Sequence, residues 1–285
     1  MKKILVIPNT LKDTDLSVTA RVVDKLLAFD MMPMISSSFR STIGDGAYYF
    51  DEYPSDAELV LVVGGDGSVI EASRIAVGFD IPLLGVNLGN LGYLSEVEVD
   101  ELDVLEKLKN ENEYIVEEKL LLEVEIIKDG IGIKAERFAV NDIIVSHSEY
   151  LGIADICLEN SKKEAIKYRA DAVILATPAG STAYALSSGG PIISHNLDSI
   201  TATPVSPHSF FNRSIVYSAK EELKVTNIGN TPLKVNIDGR YFDSLRNGDY
   251  CLVKKSGKRF KMLTFSENNM FTTLFNKLKI LNNIE

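Results

Sequence analysis

Cysteine is nearly missing from this chain. Cys157 and Cys251 are the only two in 285 residues. They are too few for a disulfide framework and lack metal-ligand spacing, so a reducing cytoplasm is the expected compartment. The three histidines, His147, His195 and His208, also stand at no ligand spacing, and no residue is assigned to a metal. No apolar run is long enough to span a bilayer, which argues against a membrane partner. The opening Met1-Lys2-Lys3-Ile4-Leu5-Val6-Ile7-Pro8 starts like a signal peptide, but the apolar run stops at Pro8 and polar residues follow, so it reads as a first strand. Positive charge is in deficit: 30 Lys and Arg against 40 Asp and Glu give a formal net charge of −10. No basic stripe is evident, so nucleic acid is not an expected partner. Repeats and low-complexity tracts are missing too. The composition, 45% hydrophobic and 25% charged, is that of a soluble globular protein long enough for one large or two ordinary domains.

The first hundred residues alternate between two patterns. Residues 4–7, 34–35, 59–63 and 82–86 read as strands. Residues 16–29, with Val18, Val22, Val23, Leu26 and Leu27 at helical spacing, and residues 69–77 read as helices. Strands separated by helices predict a parallel sheet covered on both faces, whose ligands gather at the carboxyl ends of the strands. Residues 101–108 read as a short helix and link. Beyond them, β-rich segments at 120–127, 136–145, 153–159, 172–176, 214–217, 233–237, 250–253 and 261–265 are divided by turn residues and predict antiparallel or mixed pairing. Residues 271–281 return to helical spacing. The expected architecture is an α/β domain with a parallel sheet over 1–100, a β-rich, sandwich-like domain over 101–265, and a helical tail, 266–285, packing back on the first domain.

The chemistry concentrates in a few runs. Leu59-Val60-Leu61-Val62-Val63-Gly64-Gly65-Asp66-Gly67-Ser68 is a buried-strand pattern passing into a glycine turn and then a helix-like segment. Such a unit offers bare backbone N–H groups to an anion, usually phosphate. Asp66 conflicts with that role, because a carboxylate in a phosphate cradle is costly unless it does chemistry or holds a cation. The conflict points to phosphoryl transfer rather than passive nucleotide binding. A second glycine loop, Asn87-Leu88-Gly89-Asn90-Leu91-Gly92-Tyr93-Leu94, also follows a strand; it reads as an ordinary turn or as amides placed for phosphate oxygens. Asn141-Asp142 reads as a turn dipeptide, or as an amide and a carboxylate for sugar hydroxyls. From Arg169 to Pro191 a buried strand runs into a Pro/Gly turn. Ser181 and Thr182 there also read as helix caps, and Tyr184 as ordinary packing or as a face for a flat ring. Ser181 lies in no G-x-S-x-G elbow, so a hydrolase nucleophile is not expected. Lys162, Lys163, Lys167 and Arg169 read as a solvated face or as an attractor of nucleotide phosphates.

In this order and at these separations, the runs resemble the NAD kinase family. The matching stretches are Gly64-Gly65-Asp66-Gly67-Ser68, the Asn87-to-Leu94 loop, Asn141-Asp142, and Thr177-Pro178-Ala179-Gly180-Ser181-Thr182-Ala183-Tyr184 through Gly189-Gly190-Pro191. Pro207-His208-Ser209 resembles a further landmark. Gly-Gly-Asp-Gly is shared with phosphofructokinases and diacylglycerol kinases; the Thr-Pro-x-Gly-Ser-Thr-Ala-Tyr run is what makes the combination specific. The resemblance implies transfer of the γ-phosphoryl group of ATP to the 2′-hydroxyl of the adenosine ribose of NAD, giving NADP and ADP. The chain has no Walker-type lysine run, so a divalent cation, Mg²⁺, would arrive mainly through ATP.

The same resemblance implies roles for individual residues. Asp66 would be the general base, the carboxylate that orients the attacking hydroxyl, or a ligand of the ion. Gly67 would line NAD beside it, and Asn141 and Asp142 would hold ribose hydroxyls or adenine. Arg169, Asp171, Thr182, Ala183, Tyr184, Ser187 and Arg240 would complete the dinucleotide site. Gly64, Gly65, Ser68, Asn87, Gly89 and Asn90 would contact the ATP phosphates. A homodimer or homotetramer is implied as well, with a site partly built from a neighbour. The chain departs from the family pattern at Ala172, often Gly, at Ala179, usually Thr, and at Arg240, often glutamine; an arginine there can still reach a phosphate. Three rivals fit less well. A lipid kinase follows its glycine turn with a Gly-Thr-x-Asn-Asp loop, and a phosphofructokinase carries a glycine-rich loop after its first strand. An NAD sensor gains nothing from the repulsion at Asp66.

Overall fold

The computed structural model describes residues 1–89, 92–148, 152–208 and 211–265. Asn90, Ser209 and the expected helical tail lie outside them. The chain divides into two compact units, one formed by Met1–Glu118 with Phe260 onward, the other by Lys119–Arg259. The sequence expectation put the change at residue 100. The 3-10 stretch that begins there, Val99–Lys109, places Leu102, Leu105 and Leu108 in the core of the first unit.

The first unit is built from β1 (Lys3–Pro8), α1 (Ser17–Ala28), β2 (Met32–Ser36), α2 (Arg40–Ile43), β3 (Tyr48–Phe50), β4 (Leu59–Gly64), α3 (Asp66–Phe79), β5 (Leu83–Asn87) and β6 (Val97–Glu98). Its strands run in the order β5-β4-β1-β2-β3 and every pairing is parallel, with β6 joining β5. All six residues of β4 are buried. That is why the strand reads as an unbroken aliphatic run: a parallel strand covered on both faces has no polar side. Helix α1 lays Val22, Val23 and Leu26 against the sheet, and the Asp13 carboxylate caps it by accepting from the N–H groups of Val18 and Thr19 and the Thr19 hydroxyl. In register, Pro8 stands beside Val63, and Gly64 beside Asn87. The carboxyl ends of β1, β4 and β5 therefore open side by side, where ligands of such sheets sit.

The second unit carries most of β7 (Ile115–Lys128), then β8 (Ile131–Lys134), β9 (Asp142–His147), β10 (Ala154–Glu159), β11 (Ala165–Ala170), β12 (Ala172–Ala176), α4 (Tyr184–Ser187), β13 (Ser199–Val205), β14 (Ile215–Ser218), β15 (Leu223–Asn227), β16 (Leu233–Ile237), β17 (Arg240–Leu245) and the start of β18 (Tyr250–Thr264). One sheet is antiparallel throughout, in the order β14-β13-β12-β9-β16-β17. A second antiparallel set runs β11-β10-β15-β18. Ile143, Val145, Val173 and Leu175 from the first meet Ile156, Leu158, Val225 and Val253 from the second in one core, so the unit is a β-sandwich. No helix among the described residues is long and apolar enough to cross a membrane.

Candidate active site

In the first unit the site grows from the end of β4. Gly65 precedes α3 in an extended conformation, and Asp66 is the first helical residue. The helix thus begins inside the glycine run, three residues earlier than its apolar spacing shows. Both carboxylate oxygens of Asp66 accept backbone hydrogen bonds from the second glycine loop, Oδ2 from Tyr93 N–H at 2.8 Å and Oδ1 from Leu94 N–H at 3.0 Å. A Cβ on Gly92 would overlap Asp66 Oδ1, so the two runs can be fastened together only because residue 92 is glycine. Asp66 is left half-buried with a fixed orientation. At Gly67 the reverse holds: a Cβ there would meet nothing within 4 Å.

Further residues surround this turn. Asn9, immediately after β1, donates from Nδ2 to Ser68 Oγ at 2.7 Å and accepts from the N–H groups of Leu11 and Lys12. A Cβ on Gly64 would overlap the Ser68 side chain, so that glycine makes room for the clasp. Lys12 Nζ stands 3.0 Å from where a Cβ on Gly65 would be, which sets a cation over the glycine turn. Neither Asn9 nor Lys12 was singled out from sequence. Their signal was position alone, since they follow a strand of the parallel sheet. Asn87 is buried, and its amide donates to the Gly89 carbonyl at 2.9 Å and to the Glu98 carboxylate at 3.1 Å. Its nitrogen therefore holds the loop.

In the second unit a cluster forms where β9 starts and β12 ends. Asp142 pairs with Ala176 in register, so Asn141-Asp142 lies next to the Thr177-Pro178 turn. Thr177 holds that corner from one side, donating from Oγ1 to the Val140 carbonyl at 2.6 Å and from N–H to the Asn141 carbonyl at 2.8 Å. Gly180 lies against the Asn141 backbone with no space for a Cβ. Asp238 holds it from the other side through the N–H groups of Val140, Asn141 and Asp142. Asp142 is buried, and burial together with the nearby Asp238 pushes its carboxyl up to about 7.

The hydroxyls of the Thr-Pro run are largely occupied within it. Ser181 is fully buried, donates to the Pro178 carbonyl and accepts from Ile193 N–H; Thr182 donates to the Ala179 carbonyl. Ala183 is half-buried, whereas Tyr184 and Ser187, on α4, are exposed. Arg240 follows the turn at Asp238 and belongs to this same end of the sheet. Arg169 and Asp171 do not. They lie at the opposite end of β12, beyond Ala172, with four residue steps, roughly 13 Å of strand, between Ala172 and Ala176. Arg169 lies 3.8 Å from Asp155 there. The basic cluster falls on the β10–β11 hairpin, where Lys167 and Arg169 alternate outward with buried Tyr168 and Ala170.

Two family models match the chain: the ATP-NAD kinase N-terminal domain over residues 4–114 and the ATP-NAD kinase C-terminal domain over residues 140–265. An NAD kinase of Thermoanaerobacter sp. is 36% identical over 287 aligned residues, covering 98% of this chain and 99% of its own length. An NAD kinase of Lachnoclostridium phytofermentans is 31% identical, with 97% and 99% covered. Among solved structures, yeast NADH kinase complexed with NADH superposes with a TM-score of 0.84 at 19% identity, covering 100% of this chain and 89% of that one. An NAD kinase from Archaeoglobus fulgidus in complex with ATP gives 0.73 at 22%, covering 97% and 98%. The chain therefore belongs to the ATP-NAD kinase family and is a phosphotransferase.

Proposed function

We propose that Asp66 is the general base with which this NAD kinase moves the γ-phosphoryl group of ATP onto the 2′-hydroxyl of the adenosine ribose of NAD. The observation that carries this role is its setting: a carboxylate pinned by two N–H groups, half-buried, beside the open space at Gly67. The transition state of such a transfer is loose, with charge spread over the phosphoryl oxygens, so positioning and electrostatics dominate. An alcohol is a weak acid, and a carboxylate helps by taking its proton as the new P–O bond forms. Gly64, Gly65, Ser68, Gly89 and Asn90 are the proposed phosphate contacts. Asn87 belongs with them as the brace of their loop, and Lys12 adds the cation that the glycine turn itself lacks.

A magnesium ion carried by ATP fits this donor set. Among the described residues no three His, Cys, Asp or Glu side chains converge as a metal cage. Mg²⁺ characteristically needs only one or two carboxylates beside phosphate oxygens and water, so an ion carried by ATP would be held mainly by the phosphates, and Asp66 is kept for the proton. When bound, the ion neutralises phosphate charge.

Asn141, Asp142, Thr182, Ala183, Tyr184, Ser187 and Arg240 are the proposed NAD contacts within one chain. Arg169 and Asp171, at the far end of β12, are assigned to the site of a neighbouring copy in a homodimer or homotetramer, which their separation from Asn141-Asp142 supports. The protein is expected to act in the cytoplasm.

The test uses purified protein with ATP, Mg²⁺ and NAD, with NADP followed by a coupled dehydrogenase. Wild-type protein should form NADP, and Asp66→Asn should lower kcat by about 10²-fold or more while leaving the NAD KM nearly unchanged. Undiminished NADP formation by that variant refutes the role.

A further inference from the structure

Asp238 and Gly239 form the two-residue turn between β16 and β17, both with positive φ, 47° and 75°. A hairpin turn of this kind needs a residue that tolerates the left-handed region at each place, and Asn serves as well as Asp at the first. Closing the turn makes no use of a negative charge. Yet the Asp238 carboxylate reaches backbone 96 to 98 positions away in the chain, accepting from Val140 N–H at 2.8 Å, Asn141 N–H at 2.8 Å and Asp142 N–H at 3.0 Å. Its own N–H donates to the Asp142 carbonyl at 3.0 Å. Thr177 accounts for the Val140 and Asn141 carbonyls on the other side. The backbone groups of the corner are thus fixed from both directions without help from the side chains of Asn141 and Asp142.

We propose that Asp238 is the positioning residue of the dinucleotide site: its carboxylate, spanning three consecutive N–H groups, sets the direction in which Asn141 and Asp142 present their side chains to NAD. The inference rests on the reading of Asn141 and Asp142 as NAD contacts. Two things set it apart from a turn that merely closes a hairpin. The charge is spent on the corner rather than on the turn, and the three bonds converge on the residues immediately before and at the start of β9. The bonds of Asp238 go to the backbone of Val140, Asn141 and Asp142, so it acts through those neighbours, and its loss should weaken one substrate and spare the other.

Asp238→Asn keeps the size and turn preference of the residue but brings an N–H₂ donor against backbone donors. The NAD KM should rise about tenfold or more, as expected for bonds to a charged acceptor, while the ATP KM and kcat at saturating NAD stay within about twofold. Adding Asn141→Ala to this variant should raise the NAD KM by clearly less than the product of the two single changes, because part of the Asp238 effect runs through Asn141. Gly239→Ala strains the same turn without altering any ligand group and should give a smaller rise, again for NAD alone. It keeps the question open to experiment if Asp238→Asn does not fold. An unchanged NAD KM in a folded variant, equal losses for both substrates, or fully additive effects would overturn the proposal. Wild-type protein that made no NADP would instead count against the reaction assignment.

Discussion

Gly67 and Gly92 lie in neighbouring runs and are glycines for opposite reasons. At Gly92 the protein's own atoms exclude a side chain, since a Cβ would strike the Asp66 carboxylate. At Gly67 they leave the space empty although the residue is in the first turn of α3. Alanine is the better helix former by up to about 1 kcal/mol, so Gly67→Ala should fold at least as stably as wild type, measured by thermal melting. NADP formation should fall about tenfold or more if the added methyl enters the space proposed for the dinucleotide. A fully active variant would remove Gly67 from the site. Asp142 allows a second separation of stability from function. Burial, reinforced by Asp238, raises its carboxyl from the ordinary range to about 7. The folded protein therefore keeps a proton that the unfolded chain gives up near pH 4. Its favourable contribution is complete below that pH and is lost as the pH climbs through 7. Asp142→Asn should accordingly melt above wild type by about a few degrees at pH 8, with the gap narrowing at pH 5, and should bind NAD more weakly at both. A gap that does not widen with pH would contradict the assignment.

At the scale of elements, the sequence was most legible where burial is simplest. The aliphatic run of β4 and the 3.6-residue spacing of α1 read directly. The charged strand β11 did not read as one, because it lies at a sheet edge and its inward residues, Ile166, Tyr168 and Ala170, alternate with exposed Lys167 and Arg169. Strand β18 read as two pieces at 250–253 and 261–265. Its buried positions change phase between Val253 and Ser256, and Ser256-Gly257 looks like a break. The glycine runs of the site were legible as motifs, whereas their fastenings were not. That Tyr93 and Leu94 N–H groups secure Asp66, or that Asp238 reaches Val140, depends on pairings that no local pattern encodes. The loop after β1 is the clearest omission, and it carries its own test. The Lys12 side chain is exposed and stands over the glycine turn, while its backbone N–H is held by Asn9. Lys12→Ala should leave the melting temperature unchanged and raise the ATP KM by roughly 5- to 10-fold, the effect of losing one phosphate-facing cation in a partly solvated site. The NAD KM should not move, and a rise confined to NAD would place Lys12 elsewhere.

At the scale of the whole molecule, the two units have separate cores and carry different parts of the proposed residue set. Asp66 is pinned within the first unit, while Asn141, Asp142 and Asp238 are locked together within the second. Arg169 and Asp171 fit neither group. The register of β9 with β12 sets Asp142 at one end and Ala172, next to Asp171, at the other. If these two residues serve a neighbouring copy, a site is whole only when Asp66 comes from one chain and Asp171 from another. Asp66→Asn and Asp171→Ala should then each be nearly inactive alone. When unfolded together and refolded as a mixture, they should recover activity, because a copy that keeps Asp66 can sit beside one that keeps Asp171. For random pairing into dimers, half the assemblies are mixed and each of those has one whole site, so the recovered activity is about a quarter of wild type. Equal activity in mixed and unmixed samples would return Arg169 and Asp171 to the surface of their own chain.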